Sequence, residues 1–154
     1  MDLPVRSVLV NLKSGFVLIS PGSRLTREEL SSLGNVTDIV APNLFHLAGM
    51  KKACEVFPNA RVWVPEGIDK TKVWAQKSMI LSGSTWPYQD ELALIEIKGM
   101  PKVNEAVFVH RESKSLVVTD LCFNMVNSRG FGSRLILNLF GTYGGLGVSR
   151  FFMN

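Results

Sequence analysis

Three consecutive segments constrain this chain more than any other feature: Val36 to Ala41, Leu47 to Phe57 and Arg61 to Pro65, separated by little more than turns. Val36-Thr-Asp-Ile-Val-Ala41 has the length and apolar character of a buried strand. In the next stretch Leu47, Met50, Cys54 and Phe57 recur at helical spacing, while Lys51, Lys52 and Glu55 face water. Pro58-Asn59 closes that helix, and Arg61-Val-Trp-Val-Pro65 is a β-branched and aromatic strand. Strand, helix and strand in this order predict a parallel pair joined by a right-handed crossover, because parallel strands cannot be joined by a tight turn.

The flanking segments predict a mixed sheet around that unit. Ser7 to Leu12 and Phe16 to Ser20, divided by Lys13-Ser-Gly15, form a hairpin. Thr26 followed by Glu29 is a capping box and Gly34 a stop, which predicts a short helix over Arg27 to Leu33. Pro65 to Lys77 is a turn with an irregular helix, Ser82 to Pro87 a loop, and Leu92 to Lys98 an alternating strand. Ala106 to His110 and Ser115 to Thr119 flank the polar Arg111-Glu-Ser-Lys114, so this half turns antiparallel. Arg134 to Phe140 has the pattern of a helix buried on several sides. Gly141, Gly144, Gly145 and Gly147 lack both the G-x-G-x-x-G spacing and a G-K-[ST] ending, and are expected to be a plain flexible turn.

A length of 154 residues, 46% of them hydrophobic and 19% charged, suits one globular domain over residues 1–154. Residues 123–154 form its loosely patterned, glycine-rich end. The N-terminus has no basic region leading into an apolar run, and no apolar stretch approaches the roughly 18 residues of a membrane span, so a cytoplasmic protein without a membrane span is the expectation. Cys54 and Cys122 form no C-x-x-C and are expected as buried free thiols. No acidic residue follows Asp120, while Arg129, Arg134 and Arg150 do. Basic and aromatic residues do not interleave there, so nucleic acid is not an expected partner.

The residues that carry chemistry are few. The chain holds two histidines, His46 and His110, whereas a metal centre needs three or four convergent His, Asp, Glu or Cys donors. Asn43 and His46 follow the first strand of the parallel pair, Gly99-Met-Pro101 follows another strand, and Asp120 ends Leu116-Val-Val-Thr119. Asn43 and Asn124 suit a buried hydrogen-bond network, since amides are feeble transition-metal ligands. Asp38, Glu66 and Glu105 are further carboxylates that the sequence does not bring together.

This order, with Asn43-x-x-His46-Leu-Ala-Gly49 at a helix entry, Val62-Trp-Val-Pro65, Glu105-Ala-Val-Phe-Val-His110 and Thr119-Asp-Leu-Cys-Phe-Asn124, resembles the metallo-β-lactamase superfamily over about residues 3 to 150. The resemblance is to an uncharacterised branch. It implies an α/β, or α+β, mixed-sheet αββα sandwich, shortened at the C-terminus. In that superfamily a T-H-x-H-x-D-H-x-G-G motif holds two metal ions that activate water. The matching stretch here is Val40-Ala-Pro-Asn-Leu-Phe-His-Leu-Ala-Gly49, in which His46 alone survives as a strong ligand. Met100 stands at the next expected histidine, and Asp120 at the bridging aspartate. The implied pocket comprises Asn43, His46, Met100, Asp120 and Asn124.

Three functional expectations follow. The first is a protein with a degenerate active site, non-catalytic or metal-poor and without a cofactor, acting in ligand binding or assembly. The second is a mononuclear hydrolase of an ester, thioester or phosphoester, with one zinc, iron or manganese ion on His46 and Asp120, joined by His110 or Asn43. The third is an interaction module that uses the basic C-terminal segment. A shortened sandwich would expose an edge strand and apolar surface, so a homo-oligomer and a small-molecule ligand are the expected partners.

Overall fold

The computed structural model describes residues 6–124 and 144–148. Among the described residues ten strands form three sheets, accompanied by two α-helices. The first sheet is built from β1 (Val8–Leu12), β2 (Gly15–Ile19), β3 (Val36–Val40), β4 (Arg61–Val64) and β5 (Met79–Ile80), in that spatial order. β1 and β2 are the expected antiparallel hairpin, while β2, β3, β4 and β5 run parallel. The second sheet is an antiparallel meander of β6 (Leu92–Glu96), β7 (Ala106–His110) and β8 (Ser115–Val117). Mixed α/β architecture with a mixed sheet is thereby established.

The two helices cover one face of the first sheet. α1 (Arg27–Ser31) starts with the predicted capping box: Thr26 Oγ1 accepts from the Glu29 N–H, and Glu29 accepts from the Thr26 N–H. Gly34, with φ of +84°, makes the left-handed step that turns the chain into β3. Leu30 of α1 and Met50 and Ala53 of α2 (Met50–Val56) bury themselves against Leu18, Ile39 and Val64. On the opposite face Val17, Ile19, Val40 and Trp63 join Leu92, Leu94 and Phe108 of the second sheet in one core, with Trp86 edge-on to Trp63, Tyr88 and Phe108. Helices, first sheet and second sheet are thus successive layers.

A charged network sits in that intersheet core. Asp38 is fully buried, and its carboxylate accepts from Trp63 Nε1 at 2.7 Å, Tyr88 Oη at 2.6 Å, Thr37 Oγ1 at 2.8 Å and Arg61 Nε at 3.0 Å. Arg61 also donates to Tyr88 Oη and lies over its ring. Burial, followed by the hydrogen bond to Asp38, raises the Tyr88 phenol above its ordinary range. Each partner satisfies a group that would otherwise be stranded between two sheets.

Several boundaries differ from the sequence expectation. Residues 47–49 precede α2 rather than opening it, because the Asn43 side chain takes the N–H groups of Phe45 and His46 into a turn. β8 stops at Val117 because the N–H groups of Thr119 and Asp120 turn onto the Glu105 carboxylate. β5 was not anticipated, being only two residues long. The glycine-rich stretch is not only a turn: β10 (Leu146–Val148) includes Gly147 and pairs antiparallel with β9 (Cys122–Asn124). The helix expected over Arg134 to Phe140 lies outside the described residues. Cys54 and Cys122 are free but half-buried, and burial pushes the Cys54 thiol up to about 11.

Candidate functional site

Four parallel strands open their carboxyl ends onto one edge, the place where open α/β sheets present ligand sites. Ser20 follows β2, Asn43 and His46 follow β3, Glu66 follows β4 and Ser82 follows β5. Glu105 reaches the same edge just before β7. It is held there by backbone bonds from Ala106 N–H to Pro42 O at 2.9 Å and from Leu44 N–H to Val103 O at 2.9 Å. Asp120 arrives beyond β8.

Asn43 is the centre of this edge. It is fully buried, and its Nδ2 donates to Asp120 Oδ2 at 2.7 Å, Thr119 Oγ1 at 3.0 Å and Glu105 Oε2 at 3.3 Å. Its Oδ1 accepts the N–H groups of Phe45 at 2.8 Å and His46 at 2.9 Å. Acceptors on one side and donors on the other fix the orientation of the amide. Glu105 is equally committed, with Oε1 accepting from Thr119 N–H at 2.9 Å and Oε2 from Asp120 N–H at 2.8 Å.

His46 joins the cluster from the turn before α2. Its Nε2 faces Asp120 Oδ2 at 3.4 Å, and its Nδ1 lies 2.6 Å from Ser20 Oγ. Ser20 is 3% exposed and has a φ of +54°, a left-handed conformation uncommon outside glycine. The turn it begins is pressed against Gly49, where a Cβ would stand 2.1 Å from the Pro21 carbonyl oxygen. Gly49 is therefore required by close backbone approach and not by its own φ.

Beside the cluster lies a half-open cleft of about 390 Å³ between the two sheets. Pro65, Glu66, Ser82, Lys98, Met100 and Glu105 are among its walls. Glu105 belongs to both cleft and cluster. Asn104, at φ +50°, donates from Nδ2 to the Glu66 carbonyl at 3.0 Å and so ties the loop before β7 to the end of β4.

The structure therefore brings Asn43, His46 and Asp120 together and places Met100, 3% exposed, in the adjoining cleft. It does not bring in His110 or Asn124. His110 lies at the far end of β7, roughly 13 Å along the strand from Ala106, where its Nδ1 meets Ser113 Oγ at 2.7 Å. Asn124 is exposed on β9 opposite Leu146. Two members were missed as site residues. Glu105 was noted as a carboxylate without a place, and its position ahead of an apolar strand was the available signal. Ser20 gave none.

The donor set is a poor fit for the metal centre that the resemblance implies. Among the described residues no three His, Cys, Asp or Glu side chains converge on one point. His46 and Asp120 are two neighbouring donors, but both Glu105 oxygens are taken by backbone donors. No buried side-chain polar atom among the described residues lacks a partner. What a metal would neutralise, the Asn43 amide and backbone N–H groups already hold.

No protein-family model matches the chain, and no curated protein matches it.

Proposed function

We propose that this chain is a metal-independent, small-molecule-binding domain on a metallo-β-lactamase-like αββα scaffold. The order of helices, parallel-containing sheet and antiparallel sheet supports the scaffold. The observation that carries the binding reading is the Asn43 amide set between Glu105 and Asp120, with the 390 Å³ cleft sharing the Glu105 wall. A cleft at the carboxyl edge with polar groups on one wall is the usual form of a small-ligand site. On this reading the cluster clamps the β3, β7 and β8 ends together and keeps the cleft open. It does not generate a metal hydroxide.

A fragment screen followed by chemical-shift mapping tests this. Fragments are expected to shift Glu66, Ser82, Lys98 and Met100, with no thermal stabilisation by zinc, manganese or iron. Near-stoichiometric metal that disappears in His46→Ala and Asp120→Ala would overturn the metal-independent reading and favour the mononuclear hydrolase. Fragments that leave the cleft residues unmoved would overturn the binding site.

A further inference from the structure

Ser20, His46 and Asp120 come from the end of β2, the turn before α2 and the end of the β7–β8 hairpin, yet they form one chain of polar contacts. We propose that this chain is a metal-free nucleophilic site, with Ser20 attacking small esters or thioesters, His46 as general base and Asp120 orienting the imidazole. The proposal rests on the cluster being metal-independent, and adds a reaction to what was read as a binding edge.

Geometry supports each role. Ser20 Oγ is 2.6 Å from His46 Nδ1, within reach for proton transfer. His46 Nε2 faces Asp120 Oδ2 at 3.4 Å. The contact is longer than a good hydrogen bond, so Asp120 acts through its charge: in the tautomer that carries the proton on Nε2, on the carboxylate side, Nδ1 is unprotonated and able to act as the base. The two ring nitrogens exchange the roles they have in most serine hydrolases, but the logic of nucleophile, base and orienting acid is the same. Asp120 is itself fixed by Asn43 Nδ2 at 2.7 Å and by its own N–H on Glu105. Ser20 is 3% exposed while His46 and Asp120 keep 24% and 15% of their side-chain surface exposed, so an acyl group has to reach Ser20 Oγ from the imidazole side.

The backbone at Ser20 points the same way. A serine at positive φ stores strain that the surrounding packing must maintain, and such residues concentrate at functional sites. Next to it, Gly49 lets the Pro21-Gly22 turn sit directly on the start of α2. The result is a serine held at the tip of a parallel strand where the chain bends away.

In the reaction, the Ser20 Oγ lone pair forms a bond to the substrate carbonyl carbon while its proton passes to His46 Nδ1. The carbonyl re-forms as the carbon–oxygen or carbon–sulfur bond breaks, and the leaving alcohol or thiol takes the proton from His46. Water then repeats the sequence on the acyl-serine, releasing a carboxylic acid and restoring Ser20.

A second Ser–His pair provides an internal control. His110 Nδ1 lies 2.7 Å from Ser113 Oγ on an exposed loop, but among the described residues His110 has no carboxylate partner. The test treats the chelator-dialysed protein with a small phosphonofluoridate, in which serine displaces fluoride to form a phosphorus–oxygen bond. The adduct is then mapped by peptide mass spectrometry. One adduct per chain is expected at Ser20 and none at Ser113. His46→Gln should slow it roughly 100-fold or more, the scale of general-base catalysis, and Ser113→Ala should leave it unchanged. No adduct at Ser20, equal labelling of Ser20 and Ser113, or an unchanged rate in His46→Gln would overturn the proposal. The wild-type map decides even if a variant does not fold. A labelled Ser20 beside a cleft that binds no fragment would remove the cleft reading alone; cleft binding with Ser20 unlabelled would remove this proposal alone.

Discussion

The amide at position 43 can be tested by one nearly isosteric change, Asn43→Asp. The substitution keeps Oδ1, which caps the Phe45 and His46 N–H groups, and replaces the donor Nδ2 by an oxygen. That oxygen would stand about where Nδ2 now meets Asp120 Oδ2 at 2.7 Å and Glu105 Oε2 at 3.3 Å. Two carboxylates about 3 Å apart repel by about 5 kcal/mol at an effective dielectric constant of 20. Protonating a carboxyl of ordinary affinity at pH 7 costs about 4 kcal/mol, at 1.36 kcal/mol for each of about three pH units. The second route is cheaper, so the folded variant is expected to take up a proton that its unfolded chain does not hold. Stability then falls as pH rises, by about 1.4 kcal/mol per unit, because the folded state binds more protons. Urea unfolding of both proteins between pH 5.5 and 7.5 measures the difference. A deficit near 4 kcal/mol at pH 7 that shrinks towards pH 5.5 is expected. A deficit under 1 kcal/mol, equal at both ends of the range, would mean that the amide does not lie between two carboxylates.

Two further substitutions test the frame that holds the site. Asp38→Ala removes the acceptor shared by Trp63, Tyr88 and Arg61, and because the buried Trp63 and Tyr88 donors are left without it, at about 1–3 kcal/mol each, a loss of roughly 2–5 kcal/mol is expected; chemical denaturation measures it. Gly49→Ala puts a methyl group 2.1 Å from the Pro21 carbonyl oxygen, where backbone has to yield. About 1–3 kcal/mol of overpacking strain is expected, together with altered amide shifts for the Ser20 and His46 turns in NMR spectra.

The parallel core of the first sheet was legible because strand, helix and strand each carry a complete local signal: apolar length for β3, helical spacing for α2 and β-branched residues for β4. The capping box at Thr26 and Glu29 and the polar hairpin loop at Arg111 to Lys114 were readable for the same reason. β5 was not, since two residues leave no periodicity. The end of β8 was misplaced because a side chain distant in sequence decides it, Glu105 taking the N–H groups that would extend the strand; the start of α2 was misplaced because a local turn, closed by Asn43 on the N–H groups of Phe45 and His46, comes before it. At the site, Asn43, His46 and Asp120 could be named from their places after strands. Their partners Glu105 and Ser20 could not, since a buried carboxylate and a strand-end serine look ordinary until the fold supplies their neighbours.

The amide at position 43 supplies more than one donor. A metal ion would bind two carboxylates from outside the fold and make the edge depend on a free component. The Asn43 Nδ2 group does the bridging from within β3's own continuation, while Oδ1 shapes the turn that delivers His46. One side chain therefore fixes the position of both His46 and Asp120. Each of its hydrogen bonds contributes about 1 kcal/mol net, but they act on the same few backbone groups, so the cluster holds or fails as a unit. The His46 imidazole has a hydroxyl by one nitrogen and a carboxylate by the other, and that arrangement gives the edge a route to chemistry that its fold alone does not imply.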